Sequence, residues 1–540
     1  MATWEAKAAS KRNTLQQSIP LEWRIPKDLL PPPDLDNVMD WPETSGWFTK
    51  EELAITDLTA EHLVRKLAGG AYTSEAVTRA FCKRAAAAHQ LTNCLSETCF
   101  DRAIATARAL DEHYQRTGKP IGPLHGLPIS LKDNFNLKGL DATLGFVSHI
   151  GDPAKDDSTL AKILQEAGAV FYVKTNVPTA MMIAETINNV FGRTTNPRNR
   201  RTTSGGSSGG EASLIAFKGS PLGVGSDIGG SLRIPAACTG IFTLRPSFGR
   251  FPTRDCRSGM AGQEGVNSVN GPMARSLEDV QLYSRVVIDS QPWVRDAKCV
   301  PIPWRDVTAP RKLKIGVIWS DGIVQPTPPV ARALRETVNK LRADGFEVVD
   351  WDVSDMGTAL ALINRFFRAD NGVNIRGELA RGEEPYVKEM VIHEVSEEVS
   401  VADTWKLQAE RSAFQNAHLL KWQETGVDAL LLPNMPYVTQ KHSSTNHIGY
   451  TGMFNVLDYS CVTFPTGLTV DKSVDVLPAN FKPLNSNDEK IQSQYDADVV
   501  HGMPITLQLV GRRLEEEKVL SMTERVLEVC SDTATPPSRL

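Results

Sequence analysis

Apolar residues in the first quarter of the chain recur at helical spacing and predict three helices. The first runs from about Thr59 to Leu67 and ends at Gly69-Gly70. The second begins near Ser74, which we interpret as its N-cap. The third extends from about Phe100 to Tyr114. The chain therefore starts its main body with helical structure.

Short apolar runs and helical segments then alternate along the rest of the chain. The predicted strands lie within residues 125–133, Val170–Lys174, Leu313–Trp319, Phe346–Trp351, Ala429–Leu432 and Ile505–Val510, and the helices are Thr159–Ala167, Val330–Ala343 and Leu514–Val529. Such alternation builds sheets with parallel strands. Without an internal repeat or a break in composition, it predicts a single large α/β body.

Two segments fall outside this alternation. Residues 1–55 carry four tryptophans among prolines, which predicts an N-terminal arm with helical segments packed on a main domain of residues 56–540. Residues 375–400 are acidic and polar, and they predict a surface insertion rather than a linker between domains.

Composition argues against two classes of partner. The 540 residues carry a formal net charge of -5 and no basic patch, so we expect no binding to nucleic acid. No run of about 18 apolar residues occurs, and we predict no membrane span. Residues 1–17 lack the apolar core of a secretion signal. A cytoplasmic protein is the expectation.

The cysteines and histidines give no sign of a metal site. The eight cysteines are scattered, and the nearest pair, Cys94 and Cys99, does not have the spacing of a Cys-x-x-Cys motif. The ten histidines form neither His-Glu-x-x-His nor His-x-His. We therefore predict no metal ion and no cofactor.

The stretch from Ser204 to Arg233 is unusual, because nine glycines fall between Gly205 and Gly230. A flexible Gly/Ser linker is one interpretation. However, apolar residues follow at once from Leu214 to Phe217 and draw the backbone inward. Glycine suits positions where φ is positive or where backbone approaches a ligand closely. Two serine-bearing glycine loops thus predict hydroxyls presented beside exposed amides.

Two overlapping Gly-x-Ser-x-Gly patterns centre on Ser207 and Ser208, and this pattern is typical of the nucleophile elbow of α/β-hydrolases. A Ser-His-Asp esterase would also need a later histidine, which His501 provides by chain order. The elbow requires a strand that runs into the serine, whereas Asn196–Arg201 predicts a loop. The esterase is therefore the weaker alternative.

A lysine base is the other arrangement for acyl transfer, which needs a nucleophilic hydroxyl, a proton acceptor and amides for the oxyanion. Lys132 stands at the end of a predicted buried strand. Burial lowers the pKa of a lysine and so favours the neutral form that accepts a proton. A lysine that leaves the sheet edge for solvent is the structural alternative.

Three stretches together resemble the amidase signature family. They are His125–Asp133, Gly205–Glu211 and Gly223–Pro235, and 75 positions separate Lys132 from Ser207 while 24 separate Ser207 from Ser231. Further similar blocks run from about residue 4 to the C-terminus, and the chain most resembles fungal acetamidase-type amidases. The resemblance implies a layered α/β/α domain with a mixed, mostly parallel central sheet. It also implies hydrolysis of a carboxylic amide to the acid and ammonia.

The resemblance implies roles for individual residues. Ser231 would attack the amide carbonyl and form an acyl-enzyme, Ser207 would pass protons, and Lys132 would be the neutral base. The family also implies a cis peptide bond between Gly206 and Ser207.

Next to the nucleophile, the resemblance places an oxyanion hole in the amides of Ile228, Gly229, Gly230 and Ser231. The two glycines leave no side chain between these amides and the substrate. Asp227 and Arg233 are expected to pair and hold the loop. Ser226 departs from the pattern, because threonine is usual at that position.

A small-molecule amide is the expected partner, but the motifs do not identify it. Met181 and Met182 lie where related eukaryotic amidases line the acyl pocket, and ordinary core packing is the alternative for both. The family suggests a homodimer. Two functional alternatives remain, a glutaminase subunit of an amidotransferase with partner chains and a non-catalytic binding protein on the same fold.

Overall fold

The computed structural model describes residues 3–390 and 399–531, and one eleven-stranded mixed sheet lies at its centre. Fifteen strands occur in these residues. They are β1 Leu95–Thr98, β2 Pro128–Lys132, β3 Val170–Thr175, β4 Ile187–Asn188, β5 Gly192–Arg193, β6 Thr195–Asn196, β7 Asn199–Thr203, β8 Leu222–Asp227, β9 Phe242–Arg245, β10 Val269–Ala274, β11 Lys314–Val317, β12 Glu347–Asp350, β13 Ala429–Pro433, β14 Cys461–Thr469 and β15 Pro504–Val510.

Eighteen α-helices accompany the strands in the described part of the chain. They are α1 Trp4–Gln17, α2 Trp41–Thr44, α3 Lys50–Asp57, α4 Ala60–Ala68, α5 Ser74–Thr92, α6 Phe100–Thr117, α7 Thr159–Glu166, α8 Gly209–Ala216, α9 Arg233–Thr239, α10 Leu277–Asp289, α11 Pro328–Ala343, α12 Met356–Phe367, α13 Val373–Gly382, α14 Val401–Thr425, α15 Gly449–Leu457, α16 Ser486–Ser493, α17 Ala497–Val500 and α18 Glu516–Cys530.

The central sheet has the strand order β1-β3-β2-β8-β10-β9-β14-β15-β13-β11-β12. Parallel pairing occurs within two groups, β3-β2-β8 and β13-β11-β12. The strands that join these groups, and the edge strand β1, pair antiparallel with their neighbours. The predicted α/β class and mixed sheet are confirmed, and the mostly parallel arrangement applies within the two groups.

Five strands of the sheet are apolar or small along nearly their whole length and are buried on both faces. In β2, β3, β8, β10 and β13 every residue is buried. Because successive side chains of a strand point to opposite faces, both faces of the sheet must be covered. Polar groups that face inward from these strands are therefore shielded from water.

The described part of the segment predicted as a surface insertion has both exposed and buried residues. Residues 391–398 lie outside the described residues. Before them, Leu379, Val387 and Met390 are buried in a cluster with Phe146 and Ile183. The described part of the segment thus lies at the surface, as its acidic composition predicted, and its buried apolar residues also pack it onto the body.

Two local predictions differ from the structure. Thr73, not Ser74, is the N-cap of α5, and its Oγ1 accepts a hydrogen bond from the Ala76 amide at 3.1 Å. The Asn196–Arg201 segment, predicted as a loop, belongs to a two-stranded ribbon of β6 and β7. This ribbon lies outside the central sheet, so its residues lack the apolar run by which a sheet strand is predicted.

Candidate active site

Lys132 is the last residue of β2, and the parallel register between β2 and β8 determines its neighbours. Ser130 lies opposite Gly223 and Leu131 opposite Val224, so Lys132 ends beside the last residues of β8. Its Nζ lies 2.9 Å from Oγ of Ser226 and 3.4 Å from the Ser226 carbonyl oxygen. No catalytic role was predicted for Ser226, yet the strand register brings its side chain to the lysine.

The side chain of Lys132 is completely buried. Burial lowers its pKa to about 7, although the negative charges of Asp227, Glu211 and Asp133 act in the opposite direction. Nζ has hydrogen-bond partners in serine residues rather than a carboxylate. A large fraction of Lys132 is therefore neutral at neutral pH.

Ser207 lies in the loop between β7 and α8, and its Oγ is 2.7 Å from Nζ of Lys132. The Gly206–Ser207 peptide bond is cis. Glycine is required at position 206, because a Cβ there would lie 2.4 Å from the carbonyl oxygen of Ile183. The loop thus packs closely on the chain at Ile183 and Ala184 and directs Ser207 to the lysine.

Ser231 lies in the second glycine loop, between β8 and α9. The Ser208 amide donates a hydrogen bond to the Ser231 carbonyl oxygen at 3.3 Å, so the two glycine loops contact each other directly. Ser207 is buried, whereas Ser231 is partly exposed. The structure therefore brings the three predicted residues to one place and leaves Ser231 accessible.

Asp227, the last residue of β8, holds the second glycine loop. Its carboxylate accepts hydrogen bonds from the amides of Gly230 at 2.9 Å and Leu232 at 3.0 Å. The same carboxylate pairs with Arg233, and both side chains are fully buried. Burial favours the neutral acid, but the Arg233 charge and its hydrogen bonds hold the pKa of Asp227 well below its usual range.

Helix α15 supports this loop from more than 200 residues further along the chain. Asn455 donates to the Asp227 carboxylate at 2.8 Å and accepts from Arg233 at 2.6 Å. Thr451, one turn earlier, donates to the carbonyl oxygen of Gly229 at 2.7 Å. The two residues are four positions apart and therefore lie on the same face of the helix. No motif near them in the sequence indicates that they contact the loop.

A cavity of about 320 Å³ lies next to the second glycine loop, from which the Phe367 side chain of its lining separates it. Its lining is mainly apolar and includes Met182, Ile183, Ala184, Leu360, Phe367, Ile375, Met390 and Ile448. Gly229 faces it closely, because a Cβ at this glycine would lie 3.4 Å from the Phe367 ring. Met182 lines the cavity, whereas Met181 packs with the neighbouring buried cluster around Phe146.

A buried acid, Glu211, lies under the site and had no predicted role. Its carboxyl group receives hydrogen bonds from Ser130 at 2.6 Å and Thr175 at 3.0 Å. Burial raises the pKa of Glu211 to about 8, although these hydrogen bonds and the nearby Lys132 oppose the change. In the sequence, the only indication of a role for Glu211 is that it ends the glycine-rich motif Gly205–Glu211.

The two histidines considered at the sequence level take no part in this arrangement. His501 is exposed in a turn, and its Nδ1 lies 3.1 Å from the Val470 carbonyl oxygen. His125 is buried, and its Nδ1 lies 3.2 Å from the Ile121 amide, as expected for a turn residue. Ser207 follows a ribbon strand rather than a strand of the central sheet, unlike a nucleophile elbow.

Within residues 3–390 and 399–531, no group of three or more His, Cys, Asp or Glu side chains could hold a metal ion. No helix in the same part of the chain is long and apolar enough to cross a membrane.

Comparison with known proteins identifies the family. The family model described as Amidase matches residues 76–520. Acetamidase of Emericella nidulans is 40% identical over 550 residues, which cover 99% of this chain and 100% of the relative. Putative amidase kk1C of Curvularia clavata is 41% identical over 546 residues, with 98% and 99% covered.

Solved structures agree with the sequence comparison. The structure of a fatty acid amide hydrolase has a TM-score of 0.94 and 34% sequence identity, and the match covers 97% of this chain and 95% of that one. A crystal structure of an amidase has a TM-score of 0.67 at 25% identity, with 87% and 99% covered.

Fold, site and comparisons define an α/β enzyme that hydrolyses amides. The chain belongs to the amidase family, as its resemblance to the amidase signature pattern implied. Membership in this family, rather than in the α/β-hydrolases, accounts for the Gly-x-Ser-x-Gly patterns around Ser207 and Ser208.

Proposed function

We propose that the chain hydrolyses amides through a Ser-Ser-Lys triad of Ser231, Ser207 and Lys132. Ser231 Oγ attacks the amide carbonyl carbon and forms the acyl-enzyme. Its proton passes to Ser207 Oγ as the Ser207 proton passes to Nζ of Lys132. The distance of 2.7 Å between Nζ and Ser207 Oγ suits the second transfer.

The developing oxyanion is stabilised by the amides of Ile228, Gly229 and Ser231 in the second glycine loop. The Gly230 amide, which the family pattern includes, already donates to the Asp227 carboxylate. Support comes from the way this loop is held, because the Asp227 carboxylate binds the N–H of the Gly229–Gly230 peptide and the Thr451 hydroxyl binds its carbonyl oxygen. Donors that are fixed before the reaction need no reorganisation as the charge develops. Loss of one such donor typically costs about 3 kcal/mol of transition-state stabilisation.

The proton on Lys132 returns through Ser207 to the leaving nitrogen as the carbon–nitrogen bond breaks, and ammonia departs. A water molecule then attacks the acyl-enzyme, passes one proton back along the same route and releases the carboxylic acid with Ser231 restored. One amide and one water thus give one acid and one ammonia, and no cofactor is needed.

We propose that the acyl group of the substrate occupies the cavity beside Gly229. The lining is apolar, and its volume of about 320 Å³ is near the lower end of typical ligand pockets. Amides with a small or medium apolar acyl group suit this space, and Met182 would contact that group. The names of relatives span acyl groups from the short one of acetamidases to the long one of a fatty acid amide hydrolase, and the cavity volume favours the shorter part of that range.

The observation that carries the proposal is the environment of Lys132. A fully buried lysine whose Nζ contacts two serine side chains and whose pKa is about 7 is costly to keep for structure alone. Such an environment suits a general base that must be neutral near pH 7.

Replacement of the nucleophile tests the proposal. Ser231→Ala should lower ammonia release from a panel of simple amides by at least about 10³-fold, because the acyl-enzyme no longer forms. Ser204→Ala is the matched control in the neighbouring loop, since the Ser204 hydroxyl is buried without a hydrogen-bond partner among the described residues. Ammonia release at the wild-type rate by folded Ser231→Ala would refute the mechanism.

A further inference from the structure

The cavity beside the glycine loops contains one polar pair whose geometry is fixed by the fold. His447 lines the cavity and is buried, and its Nε2 hydrogen-bonds with a carboxylate oxygen of Asp321. The other Asp321 oxygen accepts hydrogen bonds from the amides of Ile323 at 2.9 Å and Val324 at 2.8 Å. Asp321 is therefore immobile, and it orients the His447 ring.

The contact with Asp321 determines which nitrogen of His447 carries a proton. A carboxylate only accepts hydrogen bonds, so Nε2 must be protonated, and in the neutral imidazole Nδ1 then has a free lone pair. Within residues 3–390 and 399–531, no group forms a hydrogen bond with Nδ1 of His447. Nδ1 is also not one of the fully buried side-chain atoms that lack a hydrogen-bond partner. His447 thus offers an acceptor at the cavity.

Two other polar side chains of the lining also have partners. Glu389 pairs with Arg193 and accepts a hydrogen bond from Ser443. Asn446 accepts a hydrogen bond from the hydroxyl of Tyr437 at 3.3 Å. His447 and Asn364 are the remaining polar residues of the lining, and only His447 is held by a buried carboxylate.

His447 lies close along the chain to a residue that contacts the proposed reaction centre. Helix α15 begins two residues after it, and Thr451 of that helix binds the Gly229 carbonyl oxygen. Ile448, next to His447, packs with Ile228 and Phe367 in one apolar cluster. A short acyl chain that starts at the glycine loop therefore passes Ile448 and reaches His447.

We propose that His447 is a specificity-determining residue that accepts a hydrogen bond from a hydroxyl or N–H group on the acyl chain of the substrate. The inference rests on the proposed function, because it takes the cavity to hold the acyl group. It narrows the substrate class to amides whose otherwise apolar acyl chain carries one hydrogen-bond donor. Asp321 acts as the positioning residue that keeps Nδ1 available as an acceptor.

The test uses straight-chain amides of increasing length, each in three forms with an unsubstituted, a hydroxyl or a methoxy end. The wild-type enzyme should show a kcat/KM roughly three- to tenfold higher for the hydroxyl form at one chain length, which corresponds to one net hydrogen bond. The methoxy form should lack this advantage, because it cannot donate. Equal rates for all three forms at every length would overturn the inference.

Two variants separate recognition from a structural effect. His447→Gln should abolish the preference, so that the hydroxyl and unsubstituted forms have equal kcat/KM, because a glutamine that donates to Asp321 places no acceptor at the position of Nδ1. Asn364→Leu should keep the preference. A preference that survives His447→Gln, or that disappears in Asn364→Leu instead, would assign recognition elsewhere.

The same assay distinguishes failure of this inference from failure of the proposed function. If wild-type enzyme hydrolyses the unsubstituted amides and Ser231→Ala does not, the mechanism stands, and absence of a hydroxyl preference defeats only the role of His447. If activity does not depend on Ser231, both fail.

Discussion

At the scale of single residues, the chemistry of Lys132 depends on how nearby acids are neutralised. Asp227 is ionised but shares its charge with Arg233, and the two together are nearly neutral when seen from Lys132. Glu211 has a pKa of about 8, so it is mostly protonated at pH 7 and adds little negative charge. The effect of burial on the Lys132 pKa is therefore only partly offset by its acidic neighbours, and the amine is kept near half protonation.

The pH dependence of activity follows from this balance. Because burial lowers the pKa of Lys132 to about 7, kcat/KM should fall on the acid side of pH 7, by about tenfold per pH unit well below it. The sign is that of a base which works only when deprotonated. Initial rates of ammonia release between pH 5 and 9 measure this limb, and a flat profile over that range would contradict the assignment of Lys132.

Two variants check that the acid limb belongs to Lys132. Ser226→Ala should move it to lower pH, because the ammonium form loses the hydroxyl acceptor at 2.9 Å from Nζ. Glu211→Gln should leave it nearly in place, because the glutamine replaces a carboxyl group that is already neutral at that pH.

At the scale of elements, the second glycine loop is held in place by β8, α9 and α15. Asp227 ends the strand, Arg233 begins the helix, and Asn455 of α15 binds both. The loop between them is thus fixed at its two ends and also from the side. Its inner residues, Gly229 and Gly230, have no side chains, and Gly229 approaches the Phe367 ring that lines the proposed acyl cavity.

The two adjacent glycines should respond differently to substitution. Gly230 has φ of +135°, and a Cβ there would lie 2.5 Å from Oγ1 of Thr451, so Gly230→Ala strains the backbone and displaces the loop. We expect kcat/KM to fall at least about tenfold. Gly229 has no positive φ, and its added Cβ would touch only the Phe367 ring at 3.4 Å.

Gly229→Ala is therefore the matched control, with stability within roughly 0.5 kcal/mol of wild type. Thermal unfolding and kcat/KM, measured side by side, make the comparison. The loop description would be incorrect if Gly230→Ala were as active and stable as Gly229→Ala.

Local sequence patterns predicted the two glycine loops and the strand that ends at Lys132, because a high density of glycine and the end of an apolar run can both be recognised in consecutive residues. The lysine at the end of β2 and the two serine loops came together as expected from motif spacing. The contributions of Thr451 and Asn455 could not be foreseen, since they arrive from a helix more than 200 residues away. The resemblance to a family, not periodicity, indicated which serines to single out.

At the scale of the whole molecule, strand direction was the least predictable feature. Helix and strand alternation is seen in the sequence around β2, β3, β11 and β12, and these strands pair parallel where they meet. The antiparallel strands between the two parallel groups have no such local marker, because long connections bring them together. Pairing over long separations is set by tertiary packing, which sequence patterns do not report.

We propose that residues 1–55 act as an arm that fastens the site-bearing loops to the sheet. Lys11 of α1 forms ion pairs with Glu97 of β1 and with Asp141, whose carbonyl oxygen also accepts a hydrogen bond from Lys174 at 2.5 Å. Further along the arm, the Val38 amide donates to the Pro197 carbonyl oxygen at 2.9 Å, in the ribbon that leads to Ser207. The arm thus contacts the edge strand of the sheet and the β6–β7 ribbon that precedes the first glycine loop.

Lys11→Met tests how strongly the arm is held. The side chains of Lys11, Glu97 and Asp141 are 10%, 13% and 8% exposed, so the substitution leaves two nearly buried carboxylates without their cation. We expect a loss of roughly 3 kcal/mol in stability and faster proteolytic cleavage within the arm, because breaking a buried pair costs more than the pair itself contributes. Thermal unfolding and limited proteolysis with mass spectrometry measure both effects. Lys7→Met, one turn earlier on α1, is the control, and identical behaviour of the two variants would show that Lys11 does not hold the arm.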